Sequence, residues 1–437
     1  MEDTIHHAHP VAVRKAVEAN APPPELTLED MASPSARVVA LTTRPDAVVP
    51  GFAREPAHAG PGSRWVALML PGGGACVAAA LVEPAESSGF RADSTLDEAA
   101  LRHSITISRM YVEPSYSGLD LAPMLAYLAL RRGRLQQRTN AVAYMSDAGR
   151  ALADLLDLRV LPELPSRRGQ FARCQRLDIA IHRAYRAAGP RGQAVLRQGF
   201  IDEAVETLQQ LVTPLLSTPY FMAVDDGTLS REQYIYSLSN LHQFVRWTTR
   251  LLGRAVSLSD DPELRGHFLN HLGGEVNHEV IIENDLAALG ADVDVDYVVH
   301  AMVPNLGTQE FMVVQESLIG FHEDPVLFMA APFAAEGFAA NVTMRFITGL
   351  TACAKKWGVA NPKKAVTFFA SHVHFDGGDD GHWALTRDIL AKNLPDDMRL
   401  QQFLNAVRLA MNGFIHCYAS YVDELGIWTA TPTAARD

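Results

Sequence analysis

The sequence predicts two domains of different class, an α+β domain followed by an all-α helical bundle. Three observations predict this. The chain has 437 residues, more than one hydrophobic core usually serves. Short apolar runs with strand-like alternation are confined to residues 37–180. From about residue 198 onward, apolar residues instead recur at three and four positions. Hydrophobic residues make up 48% and charged residues 20%, proportions of a globular protein that exclude disordered and fibrous classes. A net charge of −12 repels phosphate backbones and argues against nucleic acid as a partner. The four cysteines form no C-x-x-C pair, so they read as buried thiols of a reducing compartment. No signal-like segment opens the chain, and no apolar run approaches the roughly 18 residues of a membrane span. The expectation is a cytoplasmic protein without a membrane partner.

Residues 1–36, rich in Ala, Pro and Glu, read as a flexible arm. Residues 64–70 (RWVALML) and 75–82 (ACVAAALV) flank a triple-glycine turn and predict a hairpin. Residues 105–112 (ITISRMYV) predict a third strand, 119–137 a helix, 141–145 a strand and 146–156 a short helix. The domain therefore spans 37–180. Residues 181–200, basic and broken by Gly189 and Pro190, are expected to be a linker, and 201–430 the bundle.

The segment ISRMYVEPSYSGLDLAPMLAYLALRRG, residues 107–133, carries a strand, Val112, Pro114, Gly118 and a long helix in sequence. It resembles the central motif of the GNAT acyltransferases, in which a glycine loop and a helix N-terminus hold the CoA pyrophosphate. The resemblance implies that Gly118 lies in a CoA-type loop. Three residues depart from the pattern: Ser115, Ser117 and Asp120. A carboxylate at the helix N-terminus satisfies the dipole itself and repels pyrophosphate, which argues against CoA or acyl-CoA as a cofactor.

In the bundle, Glu275 and His278 stand three apart in a helical stretch, a spacing that puts a carboxylate and an imidazole on one face. Glu336 sits in the apolar run APFAAEGFAANVTMRFITGL, where a carboxylate needs compensation, from a metal or from a base such as Arg345. Residues 371–383 (SHVHFDGGDDGHW) hold three histidines and three aspartates. His372, Asp376 and Asp379 share a helical face there, while His374 points away. Imidazole and carboxylate donors without cysteine favour iron or manganese over structural zinc.

These residues resemble the ligand pattern of the haem-oxygenase-like di-iron oxidases, over residues 200–430. The resemblance implies a haem-oxygenase-like helical bundle, two iron ions and dioxygen as cofactors. It matches Glu275, His278, Glu336, His372 and Asp376 to the family's ligands. His242 stands where that family has its first carboxylate and Asp379 where it has its last histidine, so an exchanged second iron site is expected. His382 is the reserve ligand if the register shifts at Gly377 and Gly378. The expected grouping puts Glu275, His278, Glu336 and His372 on one iron, and His242, Asp376 and Asp379 on the other.

Such a protein oxidises a small-molecule amine or acyl substrate with an external electron donor. N-oxygenation of an amine in a biosynthetic pathway is the leading expectation. Oxidative C–C cleavage or desaturation of an acyl or amino-acid substrate is the alternative. An N-acyltransferase with a scaffold bundle is the alternative from another class. Met302, Phe311, Met312, Phe321, Phe328, Met329, Phe333 and Phe338 either pack the core or line an apolar channel. A homodimer is left open.

Overall fold

The computed structural model describes residues 38–41, 64–69, 76–87, 98–112, 121–145, 147–166, 169–174, 176–341, 344–376 and 382–429. The chain divides into two units, one of residues 1–200 with 396–398, the other of 201–395 with 399–437.

Unit 1 is built on a seven-stranded sheet in the order β1-β2-β3-β4-β5-β7-β6. The strands are β1 (Val38–Leu41), β2 (Arg64–Met69), β3 (Cys76–Pro84), β4 (Ser104–Val112), β5 (Asn140–Met145), β6 (Arg159–Ser166) and β7 (Gly169–Cys174). β2 and β3 pair antiparallel as the apolar runs predict, with Trp65 opposite Leu81. Among the described strands only β4 and β5 run parallel, and they pair from Ser104 and Asn140 as far as Ile107 and Ala143. β4 continues to Val112 against β3 alone, so β4 and β5 diverge beyond Ile107. Helix α1 (Glu98–Arg102) precedes β4. The crossover between the parallel strands is helix α2 (Ala122–Leu135), which Pro123 opens and whose long apolar face is buried. Helix α3 (Asp147–Leu156) follows β5.

Residues 181–200, expected as a linker, are helical and belong to unit 1. Helices α4 (Leu177–Ala187) and α5 (Gly189–Arg197) cover them. Ala180, Ile181, Ala184 and Tyr185 supply a buried face at helical spacing, which outweighs the basic residues between them.

Unit 2 is all-α. Its helices are α6 (Phe200–Leu216), α7 (Pro219–Asp225), α8 (Arg231–Leu258), α9 (Pro262–Glu275), α10 (His278–Leu289), α11 (Val295–His300) and α12 (Leu306–Glu316). A π turn at Ser317–Phe321 leads to α13 (Pro325–Phe328), α14 (Ala330–Asn341) and α15 (Met344–Lys356). Then come α16 (Thr367–Asp376), α17 (His382–Asn393) and α18 (Asp397–Thr429). Ser230 and Gln233 form a capping box at the start of α8, and Asp261 caps α9 through the Leu264 N–H. Phe221 gathers Phe338, Phe346 and Tyr418 around it at ring-centre distances of 5.4, 5.0 and 4.9 Å. Such pairs each contribute about 0.5–1.5 kcal/mol beyond area burial. Among the described residues, no single helix is long and apolar enough to cross a membrane. Cys76, Cys353 and Cys417 are not joined in disulfides, and the last two are buried.

Candidate metal centre

The Glu275 and His278 pair does not lie on one helix. α9 ends at Glu275, Val276 is extended, and α10 begins at His278. The hinge is Asn277, whose φ of 68° and ψ of 15° are left-handed. Asparagine tolerates that region better than other non-glycine residues, and Gly273 and Gly274 already weaken the last turn of α9. The break turns both side chains inward, and Glu275 Oε2 lies 2.9 Å from His278 Nδ1.

α16 brings His372 to the same place. Its ring meets that of His278 edge to face, with centres 4.8 Å apart. Donor atoms of Glu275, His278 and His372 all lie within 4.8 Å of one another. His372 Nδ1 donates to the Phe368 carbonyl at 2.8 Å, which fixes the tautomer and leaves Nε2 as the free donor atom. Asp285 on α10 anchors the start of α16, accepting from the Phe368 N–H at 2.8 Å.

Glu336 on α14 approaches from the other side. Thr386 on α17 donates to its Oε2 at 2.9 Å, and His271 Nε2 lies 3.0 Å from its Oε1. The close approach of α17 depends on Gly337: a Cβ there would meet the Trp383 ring at 2.6 Å. Arg345, the alternative partner of Glu336, is exposed and pairs with Asp225 at 3.2 Å. His271 also lies 3.6 Å from Glu275 Oε1. Burial alone would lower the His271 imidazolium, but Glu336 and Glu275 outweigh it and raise the pKa to about 10. Burial alone would raise the Glu275 carboxyl. The neighbouring His271 and His278 imidazoles outweigh that and hold it well below the usual carboxylate range.

The structure thus brings together Glu275, His278 and His372 from the residues expected on the sequence, and places Glu336 against His271 in the same cavity wall. It does not place His242 with them. His242 on α8 is buried, but its Nε2 lies 3.0 Å from Glu283 Oε1 on the outer part of α10. Asp376 closes α16 and His382 opens α17, but their side chains, like that of His374, lie outside the described residues. So do Asp379 in unit 2, and Ser115, Ser117, Gly118 and Asp120 in unit 1. Sequence reasoning missed His271, whose signal is its position one helical turn before Glu275. It also missed Asp285, one polar residue among many on α10.

A cavity of about 960 Å³, open mouth included, adjoins the cluster. Its polar end is His271, Glu275, Glu336 and His372, and Phe244, Phe311, Phe328, Phe338 and Phe414 dominate the rest. Phe333 packs on Trp383 at 4.5 Å instead, and Phe321 is 88% exposed. No lysine, arginine or aspartate lines the cavity among the described residues. Gln315, almost buried, and Thr248 add polar atoms to its wall.

The donor set fits a metal ion. Donors on neighbouring corners of an octahedron with bonds of about 2.1 Å lie about 3.0 Å apart. The 2.9 Å Glu275–His278 and 3.0 Å His271–Glu336 separations match that spacing. His278 Nδ1 and Glu336 Oε1 are buried, yet neither makes a hydrogen bond of acceptable direction. A buried polar atom needs a partner, and a metal ion would supply one to each. The hydrogen bonds at His372 Nδ1 and Glu336 Oε2 are the outer support that metal-bound imidazoles and carboxylates use.

No protein-family profile matches the chain, and no curated protein matches it. Among solved structures, it is similar to a domain of unknown function with a haem oxygenase-like fold from Shewanella denitrificans. That similarity has 15% identity and a TM-score of 0.45, covering 53% of this chain and 95% of the other. A TenA homolog from Pseudomonas syringae matches at 15% identity and a TM-score of 0.41, over 51% of this chain and 93% of the other. A CADD-like protein of unknown function from Nostoc punctiforme matches at 14% identity and a TM-score of 0.41, over 54% and 98%.

Proposed function

We propose that unit 2 is an oxygen-dependent non-haem di-iron oxidase acting on a substrate with a long apolar portion. The observation that carries the reading is the convergence of Glu275, His278 and His372 at the edge of an apolar cavity that Glu336, paired with His271, also lines. Iron bound there would supply dioxygen with electrons that carboxylate and imidazole groups cannot supply themselves. The chain's own residues do the rest. His372 is held in one tautomer by Phe368, Glu336 is held by Thr386, and the phenylalanines exclude water and orient an apolar chain. The lining favours oxidation of an acyl-type substrate over N-oxygenation of a polar amine. An ammonium group would have no carboxylate partner on the described wall away from the centre itself. The test is oxygen uptake by the iron-loaded full chain with fatty acids and with alkylamines of matched length. Substrate-triggered uptake with the acids supports the reading, and uptake with neither class contradicts it.

For unit 1 we infer an acyltransferase-like fold without CoA binding. The strand order and the divergence of β4 from β5 support the fold, and Asp120 in the loop sequence argues against the cofactor. Calorimetry with acetyl-CoA should show no micromolar binding, and micromolar affinity would restore the acyltransferase alternative.

A further inference from the structure

The inward stripe of α12 is Gly307, Thr308, Phe311 and Gln315, at helical spacing. Its last member is a carboxamide at a place where packing favours an apolar side chain. Gln315 is 7% exposed and lines the apolar cavity of unit 2 together with Phe311 and Phe414. Among the described residues its side chain makes no hydrogen bond. Asn240 on α8, also a buried amide, shows how the fold pairs such a group. It donates to the Tyr236 carbonyl at 2.9 Å and accepts from the Asn305 N–H at 2.8 Å. Thr308, one face-turn from Phe311, reaches the same Asn240 oxygen at 3.4 Å. We propose that Gln315 binds an uncharged hydrogen-bonding group, a hydroxyl or an amide, carried on the substrate's apolar chain. This rests on the acyl-substrate reading of unit 2 and narrows the substrate to an acyl chain that bears such a group.

A buried carboxamide has two N–H donors and one acceptor oxygen to satisfy, and the described protein groups satisfy none of them at Gln315. The position of the residue is fixed by its neighbour. Trp247 Nε1 donates to Glu316 Oε1 at 2.8 Å and Arg254 donates to Glu316 Oε2 at 2.5 Å, so the end of α12 is tied to α8. A π turn, Ser317–Phe321, follows directly, a departure frequent where a helix shapes a site. Charge decides the class of group. No lysine or arginine lines the cavity among the described residues, so a carboxylate at Gln315 would be buried without a counter-charge. A neutral donor and acceptor instead exchanges its hydrogen bonds to water for hydrogen bonds to the carboxamide. The Thr248 hydroxyl, also in the wall, already reaches the Phe244 carbonyl at 3.5 Å.

The test is displacement of an apolar fluorescent probe from the full chain, for the parent, Gln315→Met and Gln315→Leu. Both variants keep a side chain of similar size in the stripe, and circular dichroism checks that they fold. The competitors are dodecanoic acid, its monohydroxylated positional isomers, and chains of the same length with one internal amide. At least one polar isomer should bind the parent about fivefold to tenfold more tightly than it binds either variant. Dodecanoic acid should bind all three proteins alike, and the set that responds tells hydroxyl from amide. A loss shared equally by every competitor, or polar isomers that bind parent and variants alike, overturns the assignment while leaving the acyl-substrate reading intact. Dodecanoic acid that fails to displace the probe from the parent overturns both.

Discussion

Asp285 on α10 holds the first turn of α16 through the Phe368 N–H at 2.8 Å, one helical turn ahead of His372. The carboxylate is fully buried, and burial outweighs that hydrogen bond to push its pKa up to about 7 from 3.8. The folded chain therefore binds more protons at this site than the unfolded chain across that interval. Its contribution to stability is full below about pH 4 and is lost as pH rises towards 7. Asp285→Asn keeps an acceptor for Phe368 and abolishes the titration. Urea denaturation at several pH values should show a flatter profile for the variant between pH 4 and 7, by up to about 4 kcal/mol. Parallel profiles would contradict the role given to Asp285.

Asn277 sets the angle between α9 and α10 in a left-handed conformation. Asn277→Gly should preserve stability and iron content, because glycine adopts that region freely. Asn277→Ala should cost about 1 kcal/mol and weaken iron binding by displacing His278 from Glu275. An alanine variant that matches the parent in thermal melting and in metal titration would show that the hinge does not position the pair.

Gly337 lies where α14 and α17 touch, and an added Cβ meets both Trp383 and Leu208. Overpacking of this kind costs about 1–3 kcal/mol. Gly337→Ala should lower the melting temperature and loosen the Thr386 hydrogen bond to Glu336. An unchanged melting temperature would mean that Trp383 moves aside at no cost.

Much of this arrangement was legible in the sequence, and the limits of legibility are physical. The β2–β3 hairpin and β4 follow from unbroken apolar and β-branched runs. β6 and β7 did not show: RVLPELPS carries two prolines, and β6 tolerates them because it is the edge of the sheet. Glu336 stood out because its neighbours are apolar. Glu275 and His278 stood out by spacing, but for the wrong local reason, since Asn277 breaks the helix that the spacing assumed. His271 was invisible because an Asn and a Gly pair surround it on a mixed helix, and only the approach of α14 shows which face is buried. His242 looked like a ligand by position, and its pairing with Glu283 depends on the packing of α8 on α10, which periodicity does not reveal.

The cavity predicts a chain-length series. Each methylene buried against Phe311, Phe328, Phe338 and Phe414 should add about 0.8 kcal/mol to binding, until the wall is reached. Displacement of an apolar fluorescent probe by saturated carboxylic acids of increasing length measures this. Affinity that is independent of length would show that the cavity does not take the substrate chain.

The central claim is that unit 2 is built to hold two irons for reaction with oxygen. Loading the full chain anaerobically with ⁵⁷Fe(II) and recording Mössbauer spectra before and after oxygen tests it most directly. About two high-spin ferrous ions per chain should convert together to ferric signals on exposure. Iron that never exceeds trace amounts, or bound ferrous iron that oxygen leaves unchanged even with substrate present, would contradict it.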